Sequence, residues 1–452
     1  MKSVFFILIL FFTAHSVSSQ TKSYISTEKA IADIDYMIKT IEEVHYNPYF
    51  ITSKEQFNKN KEELIASFDQ DSIPFKKFLA IGMKLVAQMS GGHTAMDWQN
   101  PNIMSELKTY QFIPFTGKLI DSSQYFVVTR SVSPEIKKGT LIKSINGISM
   151  AELYKECMLY FGGIESFKNA SCEKGLPLFL FFTEKISAPY SIEMHVEGTD
   201  FKTSGIDISE LIAFINQNQP KENYTFEILK DSIGLISYNS CTDYKAFKKF
   251  LKNTFQELKT EHITRLIIDI RENGGGDSSL NDLLLSYLTK KTYQQSSGRF
   301  WKISAQSKLA YNNSTYEKLF GKKFMKQYFE AENQSIIESF ENELVIPVKQ
   351  RNFFMGKTCF LIGPNTFSSA NFLADAIKTY KLSTLIGLAT GEFTNDFGEQ
   401  LSFTLPNTNS YIFVSSTYDI GANGNSSIFE PVYPDFMVQY DALTFAINWI
   451  KK

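Results

Sequence analysis

The sequence predicts an α/β protein built on a parallel sheet, and two stretches carry that prediction. The first is Leu266–Gly276, reading LIIDIRENGGG, and the second is Thr358–Ala370, reading TCFLIGPNTFSSA. In each, an apolar run of strand length ends in glycine or turn residues, and a helical pattern follows, at Ser278–Tyr287 and at Ala370–Tyr380. Two strand-turn-helix units indicate parallel strands, whose ligands bind beyond the carboxyl ends of the strands.

The length and composition of the chain fit a globular protein of two or three domains. It has 452 residues, and its 43% hydrophobic and 14% aromatic content is enough to form several buried cores. The formal net charge of −2 argues against a nucleic-acid-binding protein. The four cysteines show no metal-binding spacing, and we expect neither a metal nor a cofactor. Cys157 and Cys172 could pair in an oxidising compartment or remain buried thiols, and the sequence leaves both alternatives open.

Residues 1–19 have the layout of a secretory signal peptide. Lys2 is followed by the apolar run Val4–Phe12 and by the small-residue stretch Ser16–Ser19, after which cleavage is expected. The apolar run is too short to span a bilayer, and no second long apolar run follows it. We therefore expect an exported protein, periplasmic or extracellular, without a membrane span.

Residues 20–108 are predicted to form an N-terminal helical domain. Apolar residues recur at helical spacing from Ile31 to Ile41 and from Phe75 to Met89, which predicts two amphipathic helices. The second helix ends in Ser-Gly-Gly-His-Thr, residues 90–94. Glycines there are ordinary C-capping residues, and a histidine after them is by itself usually a solvated cation near the helix dipole.

Residues 109–200 change to short alternating strands, predicted at Phe112–Phe115 and Gln124–Val128. The phrase Lys-Gly-Thr-Leu-Ile-Lys-Ser-Ile-Asn-Gly, residues 138–147, contains an Asn-Gly hairpin signal, and a helical pattern follows it. This phrase resembles the signature of a PDZ domain, which implies a PDZ-like β domain that captures an extended peptide or a free carboxyl end. The alternative is a PDZ-shaped spacer without a ligand. The stretch Phe167–Glu184 is not typical of a compact PDZ domain and is interpreted as an insertion.

Residues 201–452 are predicted to form the main α/β domain. Its predicted elements begin with two strands, a helix and the central strand: Tyr224–Ile228, Ile233–Tyr238, Phe247–Leu258 and Leu266–Ile270. Later elements are three strands and a final helix from Ala442: Thr384–Gly387, Gln400–Thr404 and Ser410–Ser415. Asp269 falls within the central strand, where a carboxylate needs a partner such as Arg271 or loop amides.

Residues 292–352 are too long for a connection within a compact unit. Patterns at Tyr316–Phe320 and Ile336–Phe340 predict short helices within them. We interpret this insertion as a lid or a substrate wall, with a surface elaboration as the alternative.

The turns after the two strands carry groups suited to acyl transfer. Gly274, Gly275 and Gly276 can take positive φ and turn their amides toward a developing negative charge, as an oxyanion hole does. Ser368 and Ser369 start a helix, where a hydroxyl can face the same cavity. Each half alone has an ordinary explanation, because three glycines commonly make a tight turn and paired serines commonly cap a helix.

Together and in this order, the two phrases are more specific. Asp-Ile-Arg-Glu-Asn-Gly-Gly-Gly followed by Thr-Phe-Ser-Ser-Ala resembles the catalytic core of the tail-specific, or C-terminal processing, family of serine peptidases. The resemblance implies a crotonase- or ClpP-like parallel-sheet core and a peptide or unfolded-protein substrate. It makes Ser368 the nucleophile, with Ser369 as the alternative. The oxyanion donors would be the N–H groups of Ser369 and of Gly274 or Gly275.

The chain departs from most bacterial members of that family at the general base. Those members use a lysine in a Gly-Lys-Gly phrase, but the corresponding phrase here, Thr390–Asn395, contains none, and no lysine or arginine occurs from Leu382 to Ile450. A serine hydroxyl needs a base whose pKa lies near the working pH. Tricorn-type members use a histidine from the N-terminal helical segment, which by resemblance assigns the base to His93.

Three further positions bear on this assignment. Glu430 lies in the region where tricorn-type enzymes carry a carboxylate, and it is the expected orienting group for His93. Gly92 stands where tricorn has a bridging serine, and Asn371 stands where the nucleophile's phrase usually ends in glutamate.

Two functions are therefore compatible with the sequence. The first is an exported serine peptidase that cleaves near the C-termini of unfolded or short chains through an acyl-enzyme. The second is a non-catalytic protein that binds peptides or apolar ligands on the same scaffold, as the similar vertebrate retinoid-binding modules do. The missing lysine and the departures at Gly92 and Asn371 are the changes expected if the catalytic site had degenerated, as the second function requires. The oligomeric state is not predicted.

Overall fold

The computed structural model describes residues 23–120, 125–195, 200–217, 222–312, 314–340 and 344–452. The signal peptide predicted for residues 1–19 lies outside these residues. Within these ranges, no helix combines the length and the apolar character needed to cross a membrane.

Residues 23–109 are mainly helical. Their elements are β1 (Tyr24–Ser26), α1 (Thr27–Val44), α2 (Lys54–Ile65), β2 (Ser72–Pro74), α3 (Phe75–Val86), β3 (Ala95–Met96), a 3₁₀ turn (Pro101–Ile103) and α4 (Met104–Thr109). Ser26 caps α1 by accepting a hydrogen bond from the backbone N–H of Lys29. Helices α1 and α3 cover the two stretches where the apolar spacing predicts helices, and they bury the apolar faces that the spacing predicts.

The described residues between 115 and 216 form an antiparallel sheet with three helices. The elements are β4 (Phe115–Ile120), β5 (Tyr125–Ser131), β6 (Leu141–Ile145), β7 (Ile148–Ser149), α5 (Met150–Met158), α6 (Glu165–Thr183), β8 (Tyr190–Met194), β9 (Phe201–Thr203) and α7 (Ile208–Asn216). The strand order is β4-β5-β6-β8-β9, and β7 pairs with β6. Asn146 and Gly147 have φ values of 51° and 81°, which makes the predicted hairpin turn. The strand predicted at Phe112 starts only at Phe115, because Phe112 makes an isolated bridge to Ile206 instead.

The rest of the chain builds two sheets and their helices. The elements are β10 (Tyr224–Leu229), β11 (Ile233–Tyr238), α8 (Tyr244–Thr260), β12 (Arg265–Asp269), α9 (Ser279–Leu288), β13 (Ser296–Lys302), α10 (Ala305–Tyr311), α11 (Ser314–Phe320), α12 (Lys322–Glu330), β14 (Ile336–Phe340), β15 (Lys357–Ile362), α13 (Ser369–Tyr380), β16 (Thr384–Gly387), β17 (Asp396–Thr404), β18 (Tyr411–Gly421), β19 (Phe436–Met437) and α14 (Ala442–Lys451).

The predicted parallel sheet is confirmed. Its order is β10-β11-β12-β15-β16-β19, and every neighbouring pair is parallel except β10 and β11. One face packs on α8, α9 and α13, and the other packs on α14. Because both faces are covered, the central strand can be an unbroken apolar run, and Leu266, Ile267 and Ile268 are fully buried. The glycine turn (Gly274–Gly276) and the serine turn (Ser368–Ser369) follow β12 and β15, which are neighbours in the sheet.

The insertion at residues 292–352 is built into a second, antiparallel sheet. The order of that sheet is β14-β13-β18-β17, and β3 also pairs with β18. The helix predicted at Ile336–Phe340 is wrong, because this segment forms β14 and pairs along its whole length with β13. Pairing and the packing of Ile337 and Trp301 in one core therefore decide its structure over the local pattern. Helix α11 does contain the other predicted helix.

Two further expectations are resolved by side-chain contacts. Asp269 is paired with Arg271, whose Nε lies 2.9 Å from Oδ1 of Asp269 and whose Nη2 lies 2.6 Å from Oδ2. Cys157 and Cys172 are buried free thiols, so of the two alternatives for this pair the structure has the unpaired one.

Asp33 of α1 attaches the helical region to the turn between β17 and β18. This fully buried carboxylate accepts hydrogen bonds from the backbone N–H and Nδ2 of Asn407 at 3.0 and 2.8 Å. It also accepts from the backbone N–H and Oγ1 of Thr408 at 2.9 and 2.7 Å.

We predict that Asp33→Ala lowers the free energy of unfolding by about 3 kcal/mol, because buried donors lose a charged acceptor. Asp35→Ala is the matched control on the same helix, since Asp35 is exposed and its carboxylate lies 2.6 Å from Nζ of Lys61. The control substitution should lower the free energy of unfolding by at most about 1 kcal/mol. Urea denaturation followed by circular dichroism measures both, and equal losses would contradict the structural role of Asp33.

Candidate active site

The turn between β15 and α13 holds Ser368 in a strained conformation. Its φ of 54° and ψ of −127° lie in a region that residues with a Cβ rarely adopt, at a cost of about 1–3 kcal/mol. Hydrogen bonds hold the turn in place, because Thr366 donates from Oγ1 to the carbonyl of Ile270 at 2.9 Å and accepts from the N–H of Gly363 at 3.0 Å. The turn is thus attached to the end of the central strand.

The two serines of this turn have different surroundings. The hydroxyl of Ser369 donates to the carbonyl of Gly276 at 2.7 Å and lies 3.1 Å from Oγ of Ser278, and the residue is 5% exposed. Ser368 is half-buried, and its hydroxyl makes no hydrogen bond to any described residue. Of the two, Ser368 therefore has the hydroxyl that is available to react.

Gly275 brings the glycine loop against the serine turn. A Cβ on Gly275 would lie 2.6 Å from Cβ of Ser368 and 2.8 Å from the backbone nitrogen of Ser369. Its φ is +92°, which also favours glycine. Only a glycine lets the two loops approach this closely.

The amides of the two loops are not equivalent. The N–H of Gly275 donates to Oδ1 of Asn273 at 2.8 Å, and it is therefore not a free oxyanion donor. Of the two glycines that the sequence offered, this leaves Gly274. Neither Gly274 nor Ser369 uses its N–H in a hydrogen bond within the described part of the chain.

Two buried asparagines, which sequence reasoning did not single out, hold these loops. Asn273 donates from Nδ2 to the carbonyl of Tyr238 at 2.9 Å and accepts at its own carbonyl from the N–H of Phe367 at 3.0 Å. Asn281 donates from Nδ2 to the carbonyl of Ser369 at 2.8 Å. Asn273 stands inside the quoted glycine phrase, but nothing in that phrase shows that its side chain points inward.

His93 lies at the same site as the serine turn, although the two are far apart in the chain. Its Nδ1 lies 2.9 Å from Oε1 of Glu392, and Oε2 of the same carboxylate accepts the backbone N–H of Ser368 at 2.5 Å. The imidazole also packs against Phe367, with ring centroids 4.7 Å apart. Among the described residues there is no hydrogen bond between the Ser368 hydroxyl and the imidazole, whose Nε2 is the nitrogen left open by the contact with Glu392.

Glu430 does not occupy the position expected of it. The residue is exposed, and its contribution to the site is a backbone carbonyl that accepts the N–H of Thr394 at 2.9 Å. Glu392, which is 3% exposed, makes the contact with His93 instead. Glu392 stands within the Thr390–Asn395 phrase where a lysine is absent, and sequence reasoning did not single it out.

A row of charged side chains continues behind Glu392. Arg299, Asp419 and Asp396 are directly paired across β13, β18 and β17, and they therefore point to one face of the sheet. Arg299 contacts Asp419 through Nε, and its Nη1 lies 2.6 Å from Oε1 of Glu399.

This environment changes the pKa of several groups. Burial raises the pKa of Asp419 to about 6, and burial together with the charge of Glu392 raises the pKa of Asp396 well above its usual value. Burial alone would lower the pKa of His93, but the negative charge of Glu392, with smaller contributions from Asp396 and Asp419, raises it above its usual value. Within the described ranges, no group of three or more His, Cys, Asp or Glu side chains has an arrangement that could hold a metal ion.

Residues 232–438 match the model of peptidase family S41. Two similar solved structures are a complex of mature CPAF with lactacystin and a CPAF mutant. The first has 13% sequence identity and a TM-score of 0.64, and the match covers 94% of this chain and 96% of that chain. The second has 13% identity and a TM-score of 0.66, and it covers 94% and 95%. At these identities the likeness shows a shared fold. No curated protein sequence matches this chain.

We predict that Gly275→Ala lowers the rate at which a fluorophosphonate labels Ser368 by about 100-fold or more, because the new Cβ displaces the serine turn. Gly139→Ala is the matched control, since Gly139 has a φ of +91° and nothing within 4 Å of the added Cβ. The control should keep the labelling rate of the unmodified protein. Normal labelling of Gly275→Ala, or equal losses in both variants, would contradict this geometry.

Proposed function

Because the chain belongs to peptidase family S41 through residues 232–438 and is a serine-type peptidase, we propose that it hydrolyses peptide bonds through an acyl-enzyme on Ser368. The observation that carries this proposal is the carboxylate of Glu392, which lies 2.9 Å from Nδ1 of His93 and 2.5 Å from the backbone nitrogen of Ser368. It supports His93 as the base for Ser368.

His93 acts as general base through Nε2. The contact of Nδ1 with Glu392 favours the tautomer that carries its proton on Nδ1, so that Nε2 is the basic nitrogen. Nε2 accepts the proton of the Ser368 hydroxyl while Oγ bonds to the carbonyl carbon of the peptide. The proton then passes to the leaving amine as the C–N bond breaks. A water molecule hydrolyses the ester with His93 again as base.

The oxyanion of the tetrahedral intermediate is bound by the N–H groups of Gly274 and Ser369. Ser369 is the first residue of α13, where the helix dipole adds a partial positive charge. The positive imidazolium that forms in the same step is stabilised by the buried Glu392, with smaller contributions from Asp396 and Asp419. No lysine is required, because histidine and glutamate together supply the base and its orientation.

Asn371 supports this arrangement where the family usually has glutamate. Its Nδ2 donates to the carbonyl of Phe393 at 2.6 Å, one residue after Glu392. The departure at this position therefore has a structural use, since it fixes the loop that carries the orienting carboxylate.

The substrates are unfolded or short chains that are cleaved near the C-terminus, in the periplasm or outside the cell. The antiparallel sheet of β4–β9, with its Asn-Gly hairpin, supports a PDZ-like domain that presents the free carboxyl end. The apolar run after Lys2 supports export.

We predict that Ser368→Ala abolishes both peptide hydrolysis and labelling by a fluorophosphonate, because the neighbouring hydroxyl of Ser369 is already bonded to the carbonyl of Gly276. His93→Ala should lower both rates by at least about 100-fold, since the hydroxyl loses its base. Peptide mapping of the labelled protein should find the probe on Ser368. Labelling on Ser369, or no labelling of a correctly folded protein, would favour the alternative nucleophile or the non-catalytic binder.

We predict that Glu392→Gln lowers kcat by about 100-fold or more, because the imidazole loses its orienting charge. The pH profile provides a second measurement. The raised pKa of His93 places the acidic limb of kcat/KM above the usual range, and neutralising Glu392 removes the largest charge that raises it. The acidic limb should therefore move to lower pH.

Glu430→Gln is the matched control, because Glu430 is an exposed glutamate close to the same loop. It should leave kcat and the pH profile unchanged. A loss of activity in Glu430→Gln with normal activity in Glu392→Gln would restore the assignment made from the sequence.

A further inference from the structure

The segment Gly162–Lys174, which includes the first half of α6, contacts the loops of the candidate site. A Cβ on Gly162 would lie 2.9 Å from the carbonyl oxygen of Gly91, and one on Gly163 would lie 3.2 Å from Cα of Gly92. The segment therefore packs backbone to backbone against the loop that carries His93.

The same segment reaches the other side of the site. Ser166 donates from Oγ to the carbonyl of Thr390 at 3.1 Å, at the start of the loop that carries Glu392. Lys174 forms an ion pair with Glu272 at 2.6 Å, and Glu272 in turn accepts from Nδ2 of Asn365 at 3.1 Å. These contacts attach the segment to the loops before the three glycines and before Ser368.

Phe167 lies at the centre of this contact. Its ring stacks on Phe367, with centroids 4.6 Å apart and planes at 26°. Phe367 packs against the imidazole of His93 at 4.7 Å. The three rings, Phe167, Phe367 and His93, form one aromatic column. A Cβ on Gly92 would lie 2.8 Å from Phe367 and 3.4 Å from Phe167, so there is little space in which the column could rearrange.

We propose that Phe167 is a positioning residue for His93, acting through Phe367, and this inference rests on the proposed function. The polar contact with Glu392, at 2.9 Å, involves one atom of the imidazole, and a single contact leaves the ring free to tilt about it. The aromatic column restricts that tilt and directs Nε2 toward the Ser368 hydroxyl. Because α6 and His93 both lie outside residues 232–438, the site is completed by parts of the chain that the family model does not cover.

The test compares two phenylalanines of α6 in the full-length mature protein. Phe167→Ala should lower kcat by about 10-fold or more with KM within twofold, because the substrate still binds but the base is misaligned. It should lower the rate of fluorophosphonate labelling by a similar factor. Phe181→Ala is the matched control, since Phe181 is a buried ring of the same helix that packs on Tyr110 and Phe182 instead of the site. Compared with Phe167→Ala, the Phe181→Ala variant should lower the melting temperature more and kcat less.

Phe167→Tyr and Phe167→Leu separate positioning from folding. Tyrosine keeps a flat ring and should restore kcat, whereas leucine keeps the apolar bulk and should give an intermediate kcat at an unchanged melting temperature. If Phe167→Ala does not fold, the leucine variant decides.

The outcomes distinguish this inference from the proposed function. Hydrolysis by Ser368→Ala would overturn the proposed function itself. Normal kcat in the alanine or leucine variant of Phe167, with Ser368→Ala inactive, would overturn only the positioning role. A rise in KM alone would also overturn it, because Phe167 would then contact the substrate instead of supporting the base.

Discussion

The carboxylate of Glu392 contacts Nδ1 of His93 through one oxygen and the backbone N–H of Ser368 through the other. A carboxylate that is 3% exposed is stable only where charge and hydrogen-bond donors compensate for lost hydration. This requirement joins a loop of the N-terminal helical region to the turn after β15. The remaining features of the site hold these two loops and the carboxylate in fixed positions relative to one another.

Two kinds of constraint hold the loops in these positions. One is the lack of a side chain at two glycines: the backbone of Gly275 lies against the serine turn, and the backbone of Gly92 lies against the ring of Phe367. The other is a set of buried hydrogen bonds, in which Asn273 and Thr366 tie the strained turn to the ends of the central strands. The strain at Ser368 persists because the surrounding bonds determine the conformation more strongly than its own preference does.

The elements that sequence reasoning predicted well are those where the local pattern and burial agree. Strands β11 and β16 have their predicted ends, because apolar runs bounded by turn residues are buried within the sheet. Helix α14 begins at Ala442 as predicted, directly after Asp441, whose side chain caps it. At Ile336–Phe340 the local pattern gave the wrong element, since pairing with β13 is a long-range contact that the segment itself does not encode. The Phe167–Glu184 stretch was recognised as unusual for a PDZ-like domain, but its contact with the site could not be read from its composition.

The parallel sheet and the glycine and serine turns at its carboxyl edge can be predicted from the amino-acid sequence, and so can the similarity of residues 232–438 to peptidase family S41. These follow from short patterns whose physical meaning is local. Two features become visible only in three dimensions: Glu392 rather than Glu430 contacts His93, and the N–H of Gly275 is already bonded to Asn273. Which side chain reaches an imidazole depends on distances between loops that lie far apart in the chain, and such distances are set by the packing of the whole molecule.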